Sequence, residues 1–133
     1  MFSLIEIKPK IEQLASKIDA PVHIRPTYGT SKDEGTPYIE VDDSSYYFLA
    51  RDRDTKTLNR KTQDIDELLY WVFEYITSSM ASSYAVVHRD SINNHRMVMF
   101  LHQLELLKKL NPLWEKRREK EIDEILKFSP YSD

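Results

Sequence analysis

"DIDELLYWVFEYITSSMASSYAVVHR", residues 64–89, reads as one long helix. Asp64 is placed to cap its first turn, and Glu67, three residues on, completes a capping box. From Leu68 to Ile76 nearly every position is apolar or aromatic, including Tyr70, Trp71, Val72, Phe73 and Tyr75. Such a helix requires cover on more than one side, a sheet on one face and helices on another. Running from 64 to 89 it would extend about 39 Å at 1.5 Å per residue. A domain of this length has a radius of gyration of about 14 Å, so the helix is its spine.

Toward the C-terminus, "SINN" at 91–94 breaks the spine. Met97, Phe100, Leu101, Leu104, Leu107 and Leu110 then recur at helical spacing and mark a third helix. Asn111 followed by Pro112 is a cap followed by a first-turn proline, which starts a fourth helix anchored by Trp114, Ile122, Ile125 and Leu126. Toward the N-terminus, "PYIEVD" at 37–42 alternates Ile39 and Val41 with Glu40 and Asp42, "DDSS" turns the chain, and "YYFLA" at 46–50 returns as the second arm of a hairpin. Residues 55–60 continue the meander with Leu58 inward and the turn near Asp52 to Asp54 outward. His23 to Arg25, ahead of Pro26, add an edge strand, where proline is tolerated.

Leu4, Ile7, Ile11, Leu14 and Ile18 line one stripe of a first helix from about Ser3 to Asp19, which Pro21 stops. Pro9 falls inside that stripe, so the helix starts near Lys8 or is kinked there. With strands adjacent and helices segregated, the fold class is α+β and not a doubly wound sheet. The expected architecture is a small antiparallel β-meander of three to four strands packed on a long central helix, with N-terminal and C-terminal helices. The only two glycines, Gly29 and Gly35, both lie in "PTYGTSKDEG", residues 26–35. They permit the positive backbone angles of tight turns and hold a polar loop above the hairpin.

The 133 residues suit one domain, residues 1–133, able to bury roughly two thirds of the surface of the unfolded chain. The lack of cysteine excludes disulfides and thiolate metal sites, and fits a cytoplasmic location. A net charge of −3 gives no cationic excess for a phosphate backbone, so nucleic acid is not an expected partner. "MFSLIEIKPKIEQL" scatters charge among its apolar residues and resembles neither a signal peptide nor a membrane anchor. The longest apolar cluster, Leu68 to Phe73, falls far short of the ~20 residues of a membrane span.

No catalytic or metal-binding constellation emerges, and no cofactor is implied. Two glycines cannot build a phosphate loop or a dinucleotide fingerprint. His88, His95 and His102 are spaced by seven, which separates successive rings by about 10 Å on a helix, too far to share one metal. Ser78, Ser79, Ser82 and Ser83 lack the strand-to-helix elbow of a nucleophile and let helices approach closely instead. The pairs Glu40 with Asp42 and Asp64 with Glu67 belong to a solvated strand face and a helix cap. "WEKRREKEIDEILK", residues 114–127, balances its charges and reads as a solvated helix face. From Ser31 to Asp43, by contrast, Asp33, Glu34, Glu40, Asp42 and Asp43 face Lys32 alone. Such a run either protects a sheet edge or presents a docking face to a basic partner.

The segments "PTYG", "YIEVD", "DELLYWVFE" and "HQLELLKKLNPLWEKR", in that order and spacing, carry a resemblance over roughly residues 15–128. The chain resembles the immunity protein 63 family of bacterial polymorphic toxin systems. The resemblance implies a cytoplasmic, non-catalytic protein that binds and neutralises a cognate toxin domain. It supplies no contact set, so charge and exposure nominate Tyr28, Asp33, Glu34, Glu40, Asp42 and Asp43 as partner-binding residues. The turn near Arg51 to Thr55 lacks the glycine such a hairpin would favour, so its shape should differ. A competing reading is a small-molecule or enzymatic pocket between hairpin and spine, lined by Tyr46, Phe48, Tyr70 and Trp71. Aromatic residues at such positions are more often core.

Overall fold

The computed structural model describes residues 1–88 and 94–131. Along the chain run α1 (Leu4–Lys17), a 3-10 turn (Val22–Ile24), β1 (Thr27–Tyr28), β2 (Tyr38–Val41), β3 (Tyr46–Asp52), β4 (Thr55–Thr62), α2 (Ile65–His88), α3 (His95–Leu110) and α4 (Pro112–Phe128). The class is α+β, as expected. Two compact units, Met1–Phe73 and Glu74–Asp133, divide inside α2, the spine helix.

In the first unit, Ser3 caps α1 through a capping box: its hydroxyl accepts from the Glu6 amide at 3.3 Å while the Glu6 carboxylate accepts from the Ser3 amide at 3.0 Å. Pro9 neither delays the start nor ends the helix, because α1 begins at Leu4 and runs through it. Pro9 and Ile5, whose carbonyl loses its i+4 donor, both lie on the exposed side, where water can satisfy that oxygen. Ile7, Ile11 and Ala15 are fully buried, and each isoleucine contributes roughly 1.5–3 kcal/mol of burial. The helix ends in a Schellman motif: Asp19 takes a left-handed φ of 54°, its amide donates to the Ser16 carbonyl, and the Ala20 amide donates to the Ala15 carbonyl at 3.0 Å.

The edge strand expected at His23 to Arg25 is displaced. Those residues form the end of the 3-10 turn and its cap, with Arg25 clamped to Glu12 at 2.6 Å and to the Ala20 carbonyl. The strand follows Pro26 instead, at Thr27–Tyr28, and it pairs parallel with β2. The sheet, in the order β1-β2-β3-β4, is therefore mixed: β2, β3 and β4 form the antiparallel meander, and β1 adds a parallel edge.

A parallel pair needs a connection that leaves one end of the sheet and re-enters at the other. That connection is the glycine-bearing loop. Gly29 (φ 80°) turns the chain out of β1, and Gly35 (φ 84°) turns it back toward β2. A Cβ at Gly29 would lie 3.3 Å from Leu4 Cδ1, whereas nothing lies within 4 Å of one at Gly35. The loop is also stitched to the β3–β4 turn: the Gly35 amide donates to the Arg51 carbonyl at 2.7 Å, the Arg53 amide donates to the Asp33 carbonyl at 3.0 Å, and Glu34 bridges Asp52. In that turn Arg53 occupies a left-handed conformation (φ 58°), at the place where a glycine is missing.

Asp64 accepts from the Asp66 amide at 2.9 Å and starts α2, as expected. Leu68, Tyr70, Val72 and Phe73 are buried in the first unit, and the Arg60 guanidinium of β4 lies 5.2 Å from the Trp71 ring centre. In the second unit α3 packs on α4. Asn94 and Asn111 cap these helices through their side-chain oxygens, with Pro112 in the first turn of α4. The expected end of the spine at Arg89 and residues 91–93 of the expected break lie outside the described residues. In α3 the buried positions are Phe100, Gln103, Leu106 and Leu107, while Leu101 is exposed. The buried stripe thus shares Phe100 and Leu107 with the expected one and is rotated toward Gln103 and Leu106, with Met97, Leu104 and Leu110 half-buried.

Candidate protein-binding surface

The register of the meander aligns Glu40, Tyr47 and Lys61 in one row across the sheet, with Tyr38, Leu49 and Asn59 in the next. On this side an open groove of about 610 Å³ is lined by Glu40, Asp42, Tyr47, Lys56, Asn59 and Lys61 over a floor of Val41 and Leu49. Its carboxylates sit on the β2 side and its ammonium groups on β4, so the groove is neutral in sum but polarised across the strands. The Lys61 ammonium lies 5.8 Å from the Tyr47 ring centre.

Asp42 is the best-connected group at this surface. One carboxylate oxygen accepts from the Ser44 amide (2.9 Å), the Ser45 amide (2.8 Å) and the Ser44 hydroxyl (3.2 Å); the other accepts from the Tyr47 hydroxyl at 2.6 Å. These donors, the Tyr47 hydroxyl first, hold its carboxyl down at about 2. The same bond raises the Tyr47 phenol above its ordinary value. Asp42 therefore fastens the β2–β3 turn while remaining exposed.

Of the other nominated residues, Glu40 lines the same groove and Asp43 adjoins Asp42 in the turn, whereas Tyr28, Asp33 and Glu34 lie elsewhere. Asp33, Glu34, Glu40 and Asp43 are all exposed, but Asp33 and Glu34 sit beside Asp52 at one end of β3, and Asp43 sits in the turn before its other end. Those ends are roughly 20 Å apart at the usual rise of a strand. Ser31 shapes the near end, its hydroxyl accepting from the Asp33 amide at 3.0 Å. Tyr28 is turned inward: its hydroxyl is buried without a hydrogen-bond partner among the described residues, and burial, with the Glu12 charge second, pushes its phenol up. The Lys8 ammonium stands 5.7 Å from its ring centre. The acidic stretch is continuous in sequence and split in space.

Three of the four aromatic residues of the competing reading are core, and the fourth, Trp71, is half-buried. Tyr46, Phe48 and Tyr70 are each 2% exposed, and the Tyr46 hydroxyl accepts from the Phe2 amide at 2.8 Å. Of the seven-spaced histidines, His88 and His102 each stack on Tyr84, at 3.9 and 3.7 Å between ring centres, and burial depresses His102. No cluster of three or more candidate metal ligands occurs among the described residues. Ser78, Ser79, Ser82 and Ser83 line an open groove with Glu74, Tyr75 and Met99.

Sequence reasoning missed one buried polar centre. Gln103, 1% exposed, donates to the Glu74 carbonyl and the Thr77 hydroxyl, both at 3.2 Å, and its oxygen accepts from Arg118 Nε at 3.1 Å. Arg118 also pairs with Glu74 (3.3 Å) and Glu121 (3.1 Å). A signal was present: Arg118 lies four residues after Trp114 and four before Ile122, on the apolar stripe of α4.

The family model described as Immunity protein 63 matches residues 42–124, more than half of the chain. The chain belongs to that family. Membership supports an immunity function. The Immunity protein 63 match begins at Asp42, so it includes β3, β4, α2 and α3, and excludes α1 and the glycine-bearing loop. No curated protein and no solved structure matches the chain. No helix among the described residues is long and apolar enough to cross a membrane.

Proposed function

We propose that this protein binds the toxin domain of a polymorphic toxin system in the cytoplasm and neutralises it stoichiometrically, acting as one domain and without catalysis. Family membership is the observation that carries this reading. The polarised sheet face supports it. An exposed surface with carboxylates at one side and ammonium groups at the other orients a partner on approach, and its open groove accepts side chains without requiring a cofactor. Glu40, Asp42 and Asp43 form the acidic side of the docking surface, with Asp33 and Glu34 at the far end of the sheet and Tyr28 supporting the loop between.

Co-expression with the toxin module encoded beside its gene tests the proposal. Restored growth is expected, and unrelieved toxicity in the presence of folded protein would overturn it. Glu40→Lys combined with Asp43→Lys should weaken the complex at least tenfold with an unchanged circular dichroism spectrum. Asp42 is unsuitable for that comparison, because reversing its charge would release the β2–β3 turn.

A further inference from the structure

The sheet ends in an open edge. β4 is paired with β3 alone, and among the described residues no strand borders its outer side. All of its residues except Leu58 and Thr62 are exposed. In an antiparallel sheet alternate residues of an edge strand direct N–H and C=O away from the neighbour, so this edge offers unpaired backbone groups along its length. The pairing jumps from Ala50↔Leu58 to Arg51↔Lys56, which leaves Thr57 bulged and confines the regular edge to Leu58–Thr62. Five residues are an ordinary strand length.

The charge on this edge selects its occupant. β4 carries Lys56, Arg60 and Lys61 and no acidic residue, in a chain whose net charge is −3. Arg60 and Lys61 are consecutive and so project from opposite faces, Arg60 over Trp71 and Lys61 beside Tyr47. A second copy is a poor occupant: antiparallel self-pairing centred on Arg60 would set that guanidinium directly opposite its twin, and like charges so placed are destabilising. We propose that β4 is a strand-addition site that takes an extended segment of a protein partner carrying two consecutive carboxylates, one opposite Arg60 and one opposite Lys61. Backbone hydrogen bonds give such a complex its affinity, and the two cations, on opposite faces, fix its register. The same cations that repel a second copy admit an acidic strand. This surface does not depend on the partner being a toxin.

The test uses the full-length protein and synthetic eight-residue peptides of valine and threonine with two adjacent glutamates at the centre. Chemical-shift titration should show perturbation centred on residues 58–62, with slowed amide exchange there. Methylating alternate backbone nitrogens of the peptide, or replacing both glutamates by lysine, should weaken binding at least tenfold. Arg60→Glu combined with Lys61→Glu should reverse the preference between the acidic and basic peptides. Absence of any β4 perturbation at millimolar acidic peptide would overturn the proposal. Equal binding of the N-methylated peptide would overturn it too, because charge attraction without strand pairing would then suffice. Both arms leave the protein unaltered, so neither outcome depends on a variant folding.

Discussion

Replacing Gln103 isolates the polar centre of the helical unit. Gln103→Leu keeps most of the side-chain volume but removes the bonds to the Glu74 carbonyl, the Thr77 hydroxyl and Arg118 Nε. Each hydrogen bond is worth about 0.5–1.5 kcal/mol net, and a buried partner left unsatisfied costs more than the mean. Arg118 keeps its carboxylate partners Glu74 and Glu121, which moderates the loss. Three bonds at about 1 kcal/mol each, less about 1 kcal/mol for the apolar surface leucine gains, leave a destabilisation of about 2 kcal/mol. Gln103→Ala adds a cavity and should cost about 3–4 kcal/mol. Urea unfolding followed by circular dichroism reads the difference: with a slope of about 2 kcal/mol/M, the leucine variant should lose about 1 M in midpoint. A double-mutant cycle with Arg118→Met should return a coupling of about 1 kcal/mol. A leucine variant as stable as the parent, with zero coupling, would refute the claim that this network stabilises the helices.

Three further outcomes follow from the first unit. Arg53→Gly should raise stability by about 0.5–1 kcal/mol, because it relieves a left-handed non-glycine residue while keeping the amide that bonds Asp33. Gly29→Ala should cost more than Gly35→Ala in the same unfolding measurement: both force alanine to positive φ, at about 1 kcal/mol, but only the first also crowds Leu4 Cδ1. Equal losses would contradict the close approach at Gly29. Asp42 has a folded pKa of about 2, below its ordinary 3.8, so the stability it contributes is complete above about pH 4 and is lost as pH falls through about 2. Carbon-detected titration of its carboxyl group should find that low midpoint, and a midpoint near 4 would deny the bond from Tyr47.

Elements marked by strong periodicity or a cap were legible in the sequence. The α2 start at Asp64, the Asn111–Pro112 junction and the hairpin around "DDSS" each depend on residues within a few positions of one another. The parallel edge was not, because Thr27 and Tyr28 are too short a run to signal a strand and their pairing with Tyr38 and Ile39 is set by the loop between them. The glycines marked that loop without revealing its route. Asp19 and Arg53 adopt the left-handed conformations that glycine usually fills, so termini and turns in this glycine-poor chain left weaker marks. At the surface, five acidic residues close in sequence read as one face, but β2 runs along the sheet between Glu34 and Asp43 and carries them to opposite ends of β3. Gln103 and Arg118 were hidden by the habit of reading an apolar stripe from its apolar members alone. "DELLYWVFE" and "HQLELLKKLNPLWEKR" lie inside the family match, whereas "PTYG" lies outside it.

Neutralisation by binding differs from neutralisation by chemistry in its stoichiometry. Adding this protein in steps to a fixed amount of the purified toxin domain, and assaying toxin activity after each step, separates the two. The account predicts a linear fall to zero at a fixed whole-number ratio of the two chains, with intact toxin recovered from the complex by denaturation and refolding. Full inactivation by a small fraction of one equivalent, or permanent covalent change in the recovered toxin, would contradict it.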